Sequence, residues 1–204
     1  MSFKKLIEPL NDALKRKGFE TPLAFQKQAL SKIKGGANLF GIAQTGSGKT
    51  TTLVISVIQK LKGIAFGDSP RALIIVKDKQ SALDLENEFK TFTNQTDLRV
   101  YCAYEERTID AQRDEIYVGV DIVIATPKRL NKLFFLNGIH VSEMQLCIVE
   151  DAEFLFKGNG FSEVSRIAES IGKCQYVVFS TTFDSRFKKW QDTFMYNSQI
   201  IKTN

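Results

Sequence analysis

At 204 residues the chain has the length of one domain, with enough surface to bury a sizeable core. Its 43% hydrophobic and 25% charged residues exclude a disordered chain, and no apolar stretch approaches a membrane span. The net charge of +5 and the pI near 9.0 permit a polyanionic partner without requiring one.

In chain order, the N-terminal MSFKKL lacks the apolar region of a signal peptide, so a cytoplasmic location is expected and no membrane partner. Residues 1–35 are predicted to form helices ahead of the first strand. Within them Lys15-Arg16-Lys17 reads equally as a solvated helix face or as a binding patch. Residues 18–26, GFETPLAFQ, read either as a plain turn at Pro22 followed by a helix or as a segment that reads a base. A glutamine such as Gln26 carries both a donor and an acceptor, which suits pairing with adenine, and Phe19 could stack on the base.

Leu39 to Ile42 is an apolar run, and Leu53, Val54, Val57, Ile58 and Leu61 have the spacing of one helix face. Between them lies AQTGSGKT, residues 43–50. The order strand, glycine loop, helix is what a nucleotide phosphate needs. Gly46 and Gly48 can adopt backbone angles closed to other residues, so that successive N–H groups of Thr45, Gly46, Ser47 and Gly48 turn inward at the positive end of a helix. Lys49 would bridge the outer phosphates, and Thr50 would ligate Mg²⁺. Ala43 stands where the general P-loop pattern has its first glycine.

Residues 62–70 read as a loop. Further apolar runs follow at Ala72–Val76, Val100–Ala103, Ile122–Ala125, Leu146–Val149 and Tyr176–Phe179. Most are continuous, as strands buried on both faces are, and amphipathic patterns such as Ala82, Leu85, Phe89, Phe92 and Phe183, Phe187, Trp190, Phe194 lie between them. The expected fold is α/β, a mostly parallel sheet with helices on both faces. Cys102, Cys147 and Cys174 lack metal-ligand spacing and read as small hydrophobes, and His140, the sole histidine, reads as a turn residue.

In such sheets ligands gather at the carboxyl ends of strands. The run Leu146–Val149 delivers Glu150 and Asp151, where one acid would hold the metal and the other orient an attacking water. The following run delivers Ser180-Thr181-Thr182, hydroxyls able to hydrogen-bond those carboxylates.

The order of these segments resembles the first RecA-like domain of a DEAD-box ATP-dependent RNA helicase, over nearly the whole chain. GFETPLAFQ is similar to the family's Q motif, AQTGSGKT to its motif I, ATPKRL at 125–130 to its RNA-contacting TPGR, VEDAE at 149–153 to DEAD, and FSTTF at 179–183 to SAT. The resemblance implies a RecA-like P-loop NTPase domain binding ATP and Mg²⁺, the latter through Thr50 and Glu150. Lys49, Glu150, Asp151, Ser180 and Thr182 would serve catalysis, and Lys79, Thr126, Pro127, Lys128 and Arg129 would meet single-stranded or short duplex RNA. It further implies a second RecA-like domain, not contained in this chain, closing onto the first to open the duplex. The isolated chain is expected to be a monomer with little activity of its own.

The departures carry their own expectations. Glu150, Asp151 and Glu153 stand where the family has Asp, Glu and Asp. Each exchange moves a carboxylate by about one methylene, and a displacement of about 1 Å can cost on the order of 100-fold in rate. Weakened hydrolysis with retained nucleotide binding is therefore expected. VKDKQSA at 76–82 replaces APTRELA, and Glu105-Glu106 replaces a glycine pair. Lys77, Lys79, Lys128 and Arg129 face Asp78, Glu105 and Glu106, a balance of +1. The carboxylates would repel phosphates at close range, within a screening length of about 8 Å at physiological salt. RNA binding on this face is thus expected to be weak. A different class of function, an ATP-responsive interaction module derived from such an enzyme, fits the same departures.

Overall fold

The computed structural model of the chain describes residues 3–203; Met1 and Ser2 of the N-terminal segment, and Asn204, lie outside the described residues. Each apolar run becomes a strand. These are β1 (Leu39–Ala43), β2 (Ala72–Ile75), β3 (Val100–Ala103), β4 (Ile122–Ala125), β5 (Leu146–Val149) and β6 (Gln175–Ser180), joined by β7 (Gln199–Thr203). They form one sheet in the order β3-β4-β2-β5-β6-β1-β7, with every neighbouring pair parallel. The expected α/β class therefore holds. β7 lacks a continuous apolar run. It is an edge strand with Ile201 as its buried residue, held to β1 by main-chain pairing that sequence pattern does not report.

Eight α-helices are found among the described residues: α1 (Glu8–Arg16), α2 (Ala24–Lys34), α3 (Lys49–Lys60), α4 (Lys79–Thr93), α5 (Ile109–Val118), α6 (Pro127–Phe135), α7 (Gly160–Ser170) and α8 (Phe187–Thr193). Successive strand residues point to opposite faces. Leu39, Ile74, Ile124, Ile148 and Val177 accordingly join one core with α1 to α4, and Phe40, Ile75, Val123, Val149 and Val178 join a second with α5 to α8. The aromatic stripe expected around α8 is core, although the helix itself is shorter than the stripe. Phe187 and Trp190 are buried in it, while Phe183 and Phe194 flank it half-buried. Trp190 stacks on Phe161 at 4.8 Å and donates its indole N–H to Ser165 at 2.6 Å. No helix among the described residues is long and apolar enough to cross a membrane.

The basic run near the end of α1 is spent internally. Lys15 pairs with Asp12, Arg16 bonds Asn94, and Lys17 pairs with Glu88 at 2.8 Å. Of its two readings the structure favours the solvated, paired helix face.

One close approach fixes α2 against the sheet. Gly41 in β1 lies beneath the edge-to-face pair Phe25–Phe179, whose centroids are 5.7 Å apart. A Cβ at Gly41 would stand 2.7 Å from the Phe179 ring and 2.8 Å from Phe25. The absent side chain is what lets Phe25 seat, and Gln26 is the next residue along the helix.

The loop at 62–70 is tied down by Asp121, which is fully buried. Its carboxylate accepts from Arg71 at 2.6 Å, from Arg99 Nε at 2.9 Å and from the Phe66 amide at 3.0 Å. Burial alone would raise this carboxyl, but the arginine hydrogen bonds hold it below the ordinary carboxylate value. Its stabilisation is therefore complete at neutral pH and is lost only as the pH falls through the depressed value. Asp121→Ala leaves two guanidinium groups without their anion and is expected to cost roughly 3–5 kcal/mol, measured by urea unfolding.

Candidate functional site

β1 ends at Ala43, and α3 begins at Lys49 after a loop in which Gly46 and Gly48 both have φ +85°. Gly48 is the last residue before the helix, so the turn directs the free N–H groups of the first helical turn at the space above the loop. A Cβ on Gly48 would lie 2.4 Å from the Gln26 side chain. Thr45 and Gly46 are exposed, and the Ser47 hydroxyl is buried without a partner. Lys49 is 7% exposed; its ammonium donates to the carbonyls of Ala43 at 2.8 Å and Gln44 at 3.2 Å.

Gln26, seated by its neighbour Phe25, is buried at the same loop. Its carbonyl oxygen accepts from the Leu23 amide at 2.9 Å, and its NH₂ donates to the Gly48 carbonyl at 3.5 Å. Phe19 stands apart, 41% exposed on the connection between α1 and α2.

From β5 the chain passes into Glu150 and Asp151 and then a 3₁₀ turn, Ala152–Phe156. Thr50 donates its hydroxyl to Glu150 at 2.8 Å, and Asp151 lies 3.8 Å from the Lys49 ammonium. Asp151 has φ +44°, a left-handed backbone that an aspartate tolerates better than most residues. Burial pushes the Glu150 carboxyl up to about 7, with Asp151 adding to the rise while Thr50 and Lys49 oppose it. Glu153 behaves differently. Burial would raise it, yet hydrogen bonds from Thr181 and Ser180 hold it below the usual glutamate value. The Thr181 amide donates to its carboxylate, the Ser180 hydroxyl donates to the Thr182 carbonyl at 2.7 Å, and the Thr182 amide returns to Ser180 at 3.3 Å. Ser180, Thr182 and Glu153 thus form one braced turn beside the acids.

Further along the same edge, Lys79 opens α4 behind the cap Asp78 and lies 5.3 Å from the Tyr104 ring. Thr126 precedes α6 and donates to the Glu105 carboxylate at 2.8 Å; Pro127 starts the helix, Lys128 is exposed and Arg129 is buried. Because the strand order is β3-β4-β2-β5-β6-β1, the Glu105 loop, the Thr126 segment, the Lys77 to Lys79 segment, the acids, the Ser180 turn and the glycine loop follow one another along a single sheet edge. The acids stand between the glycine loop and the basic segments. Sequence reasoning did not find Ser81, Asp84, Leu85 and Glu88, which line a cavity with Thr50, Glu150 and Asp151. They sit on α4, whose amphipathic pattern carries no mark of a site.

Residues 23–190 match the DEAD/DEAH box helicase family. The chain is 33% identical over 187 residues to the pre-mRNA-processing ATP-dependent RNA helicase PRP5 of Candida albicans, covering 88% of this chain and 21% of that protein. It is 31% identical over 179 residues to the probable ATP-dependent RNA helicase DDX46 of Homo sapiens, covering 84% of this chain and 17% of that protein. The chain therefore spans about a fifth of the length of these relatives. The crystal structure of a DEAD box protein from the hyperthermophile Methanococcus jannaschii superposes with a TM-score of 0.91 at 21% identity, over 100% of this chain and 56% of that one. Saccharomyces cerevisiae dbp5 bound to gle1 and ip6 gives 0.87 at 16%, over 100% and 52%. Both show the RecA-like fold. The expected cytoplasmic location is corrected by the PRP5 relatives, which are named for pre-mRNA processing, a nuclear task. The residues MSFKKL carry no information that separates nucleus from cytoplasm. Since the match spans residues 23–190, a range that holds the glycine loop, the acidic strand end and the Ser180 turn, the chain belongs to the DEAD/DEAH box helicase family.

Proposed function

We propose that residues 1–204 form the nucleotide-binding RecA-like domain of an ATP-dependent RNA helicase, which binds Mg-ATP and acts on RNA together with a second RecA-like domain. The observation that carries this reading is the buried Lys49 ammonium at the mouth of α3, within 3.8 Å of Asp151 and one residue from a Thr50 hydroxyl bonded to Glu150.

The residues present fit a triphosphate. Its oxygens would be received by the amides of Thr45 to Lys49, by the unpartnered Ser47 hydroxyl and by the Lys49 ammonium. Gln26 already holds the glycine loop through Gly48, and its amide is the group that would read adenine, with Phe19 stacking above. A hydroxyl and a carboxylate, Thr50 and Glu150, form the hard oxygen pair that Mg²⁺ prefers. Bound there, the ion would neutralise charge on the outer phosphates. Asp151 would orient a water, and Ser180 and Thr182 brace the turn that would sense the nucleotide and pass its state to the second domain. Lys79, Thr126, Pro127, Lys128 and Arg129 would form the RNA face.

A second reading, a catalytically weakened ATP-responsive module, is favoured by one specific contact. The longer Glu150 side chain closes directly onto Thr50 at 2.8 Å, while the shorter Asp151 stands where reach matters for the water. The two readings part at turnover, not at binding.

Lys49→Ala removes a charge-assisted hydrogen bond and is expected to lower ATP affinity about 10- to 100-fold by calorimetric titration; unchanged affinity would sink the reading. Exchanging the acids, Glu150→Asp with Asp151→Glu, is expected to raise RNA-stimulated turnover of the natural full-length protein by about 10- to 100-fold. No gain there would mean that the backbone already compensates for the altered lengths. Glu150 also makes the ligand-free chain pH-sensitive. The folded carboxyl, raised to about 7, keeps a proton that the unfolded chain gives up, so its stabilising contribution is complete at low pH and is lost as the pH rises through that value. Glu150→Gln is therefore expected to stabilise the chain by about 1–3 kcal/mol at about pH 8 while changing little at about pH 5, read from urea midpoints.

A further inference from the structure

Glu105, on the loop after β3, turns back over the amino end of α6. Its carboxylate accepts the Thr126 hydroxyl at 2.8 Å. Arg129, in the first turn of that helix and 6% exposed, donates from one terminal nitrogen to the carbonyls of Glu105 at 2.7 Å and Arg107 at 2.9 Å. Its Nε and its other terminal nitrogen are buried with no partner. The described arginines that do meet a carboxylate are Arg71, Arg99, Arg113 and Arg186; Arg129 is not among them. A buried guanidinium with idle donors at the positive end of a helix is short of an anion. The cleft outside is walled by Lys77, Lys128 and Lys157 together with Glu105 and Glu163.

We propose that the Glu105 carboxylate holds the place of an RNA backbone phosphate at the amino end of α6, so that this face takes RNA only once the carboxylate is displaced. This rests on the RNA-helicase reading above and adds to it an affinity-setting residue internal to the chain. A phosphate has more acceptor oxygens than a carboxylate and could satisfy Thr126 and Arg129 together with a flanking lysine. Glu105 reaches Thr126 with its carboxylate and meets Arg129 only through its main-chain carbonyl. Glu106 supplies an internal control, because it carries the same charge one residue away, is exposed as Glu105 is, and has no hydrogen bond to the Thr126 segment.

The test is fluorescence anisotropy of a short labelled single-stranded RNA on the natural full-length protein with ATP and Mg²⁺ present, across a salt series. Glu105→Gln keeps the shape and removes the charge. It is expected to tighten binding about tenfold and to steepen the slope of log K against log salt by about 0.7, the increment of one additional phosphate contact on a single strand. Glu106→Gln is expected to change affinity by less than about twofold, as a screened charge that does not occupy the end of α6 should. Equal gains from both variants would reduce the effect to a diffuse field and overturn the proposal. Wild-type binding with no gain on Glu105→Gln would overturn it while leaving RNA recognition intact. Failure of every variant to bind RNA would fell the helicase reading itself, and the proposal with it. Thermal unfolding of each variant separates a lost fold from a lost contact, and Glu105→Ala carries the same expectation should Glu105→Gln fail to fold.

Discussion

A cation kept out of water beside the positive end of a helix is the constraint around which this molecule is arranged. Lys49 begins α3, where a positive charge is disfavoured, and it is 7% exposed. It is tolerated because its side chain runs back beneath the loop to the carbonyls of Ala43 and Gln44, with Asp151 across the gap. These partners come from the ends of β1 and β5, separated in the sheet by β6. The parallel sheet is therefore what makes the arrangement possible. It brings loops distant in sequence to one edge and leaves the ammonium a few ångströms from the region that the first-turn amides face.

Much of this was legible beforehand. Continuous apolar runs gave away the buried strands, since a strand covered on both faces has no polar side to show. The glycine loop and the Glu150-Asp151 pair were legible because their chemistry needs those residue types next to strand ends. β7 was not legible, because an edge strand owes its existence to the open hydrogen-bonding groups of β1, and Ile201 alone marks it in the sequence. The true length of α8 was hidden for another reason: Phe183 and Phe194 pack like helix residues from outside the helix. Glu105 was legible as a misplaced charge, but its bond to Thr126 depends on β3 and β4 being neighbours, a fact of topology. The cellular compartment was misread because no physical property of the N-terminal residues distinguishes nucleus from cytoplasm.

The altered acids take distinct positions once their surroundings are known. Glu150 is shielded, raised to about 7 and bonded to Thr50, whereas Glu153 is held ionised by the turn after β6. Asp151 sits in a left-handed backbone between them. Three like charges in four residues are thus kept apart by three different devices, namely burial, opposition to Lys49 and amide donation. The edge as a whole grades from the mixed charges around Glu105 and Lys128, through these acids, to the donor-rich loop at Gly46 to Thr50.

Gly41, inside β1, bears on these groups through one ring. Phe25 can settle on the strand only because residue 41 has no side chain, and the residue that follows Phe25 is the amide poised over Gly48. On the proposed reading of Gln26, base discrimination and core packing would be a single variable. If Gln26 reads adenine as proposed, damage deep in the hydrophobic layer at Phe25 or Phe179 would first surface as confusion between adenine and guanine, while the hold on the phosphate tail persisted.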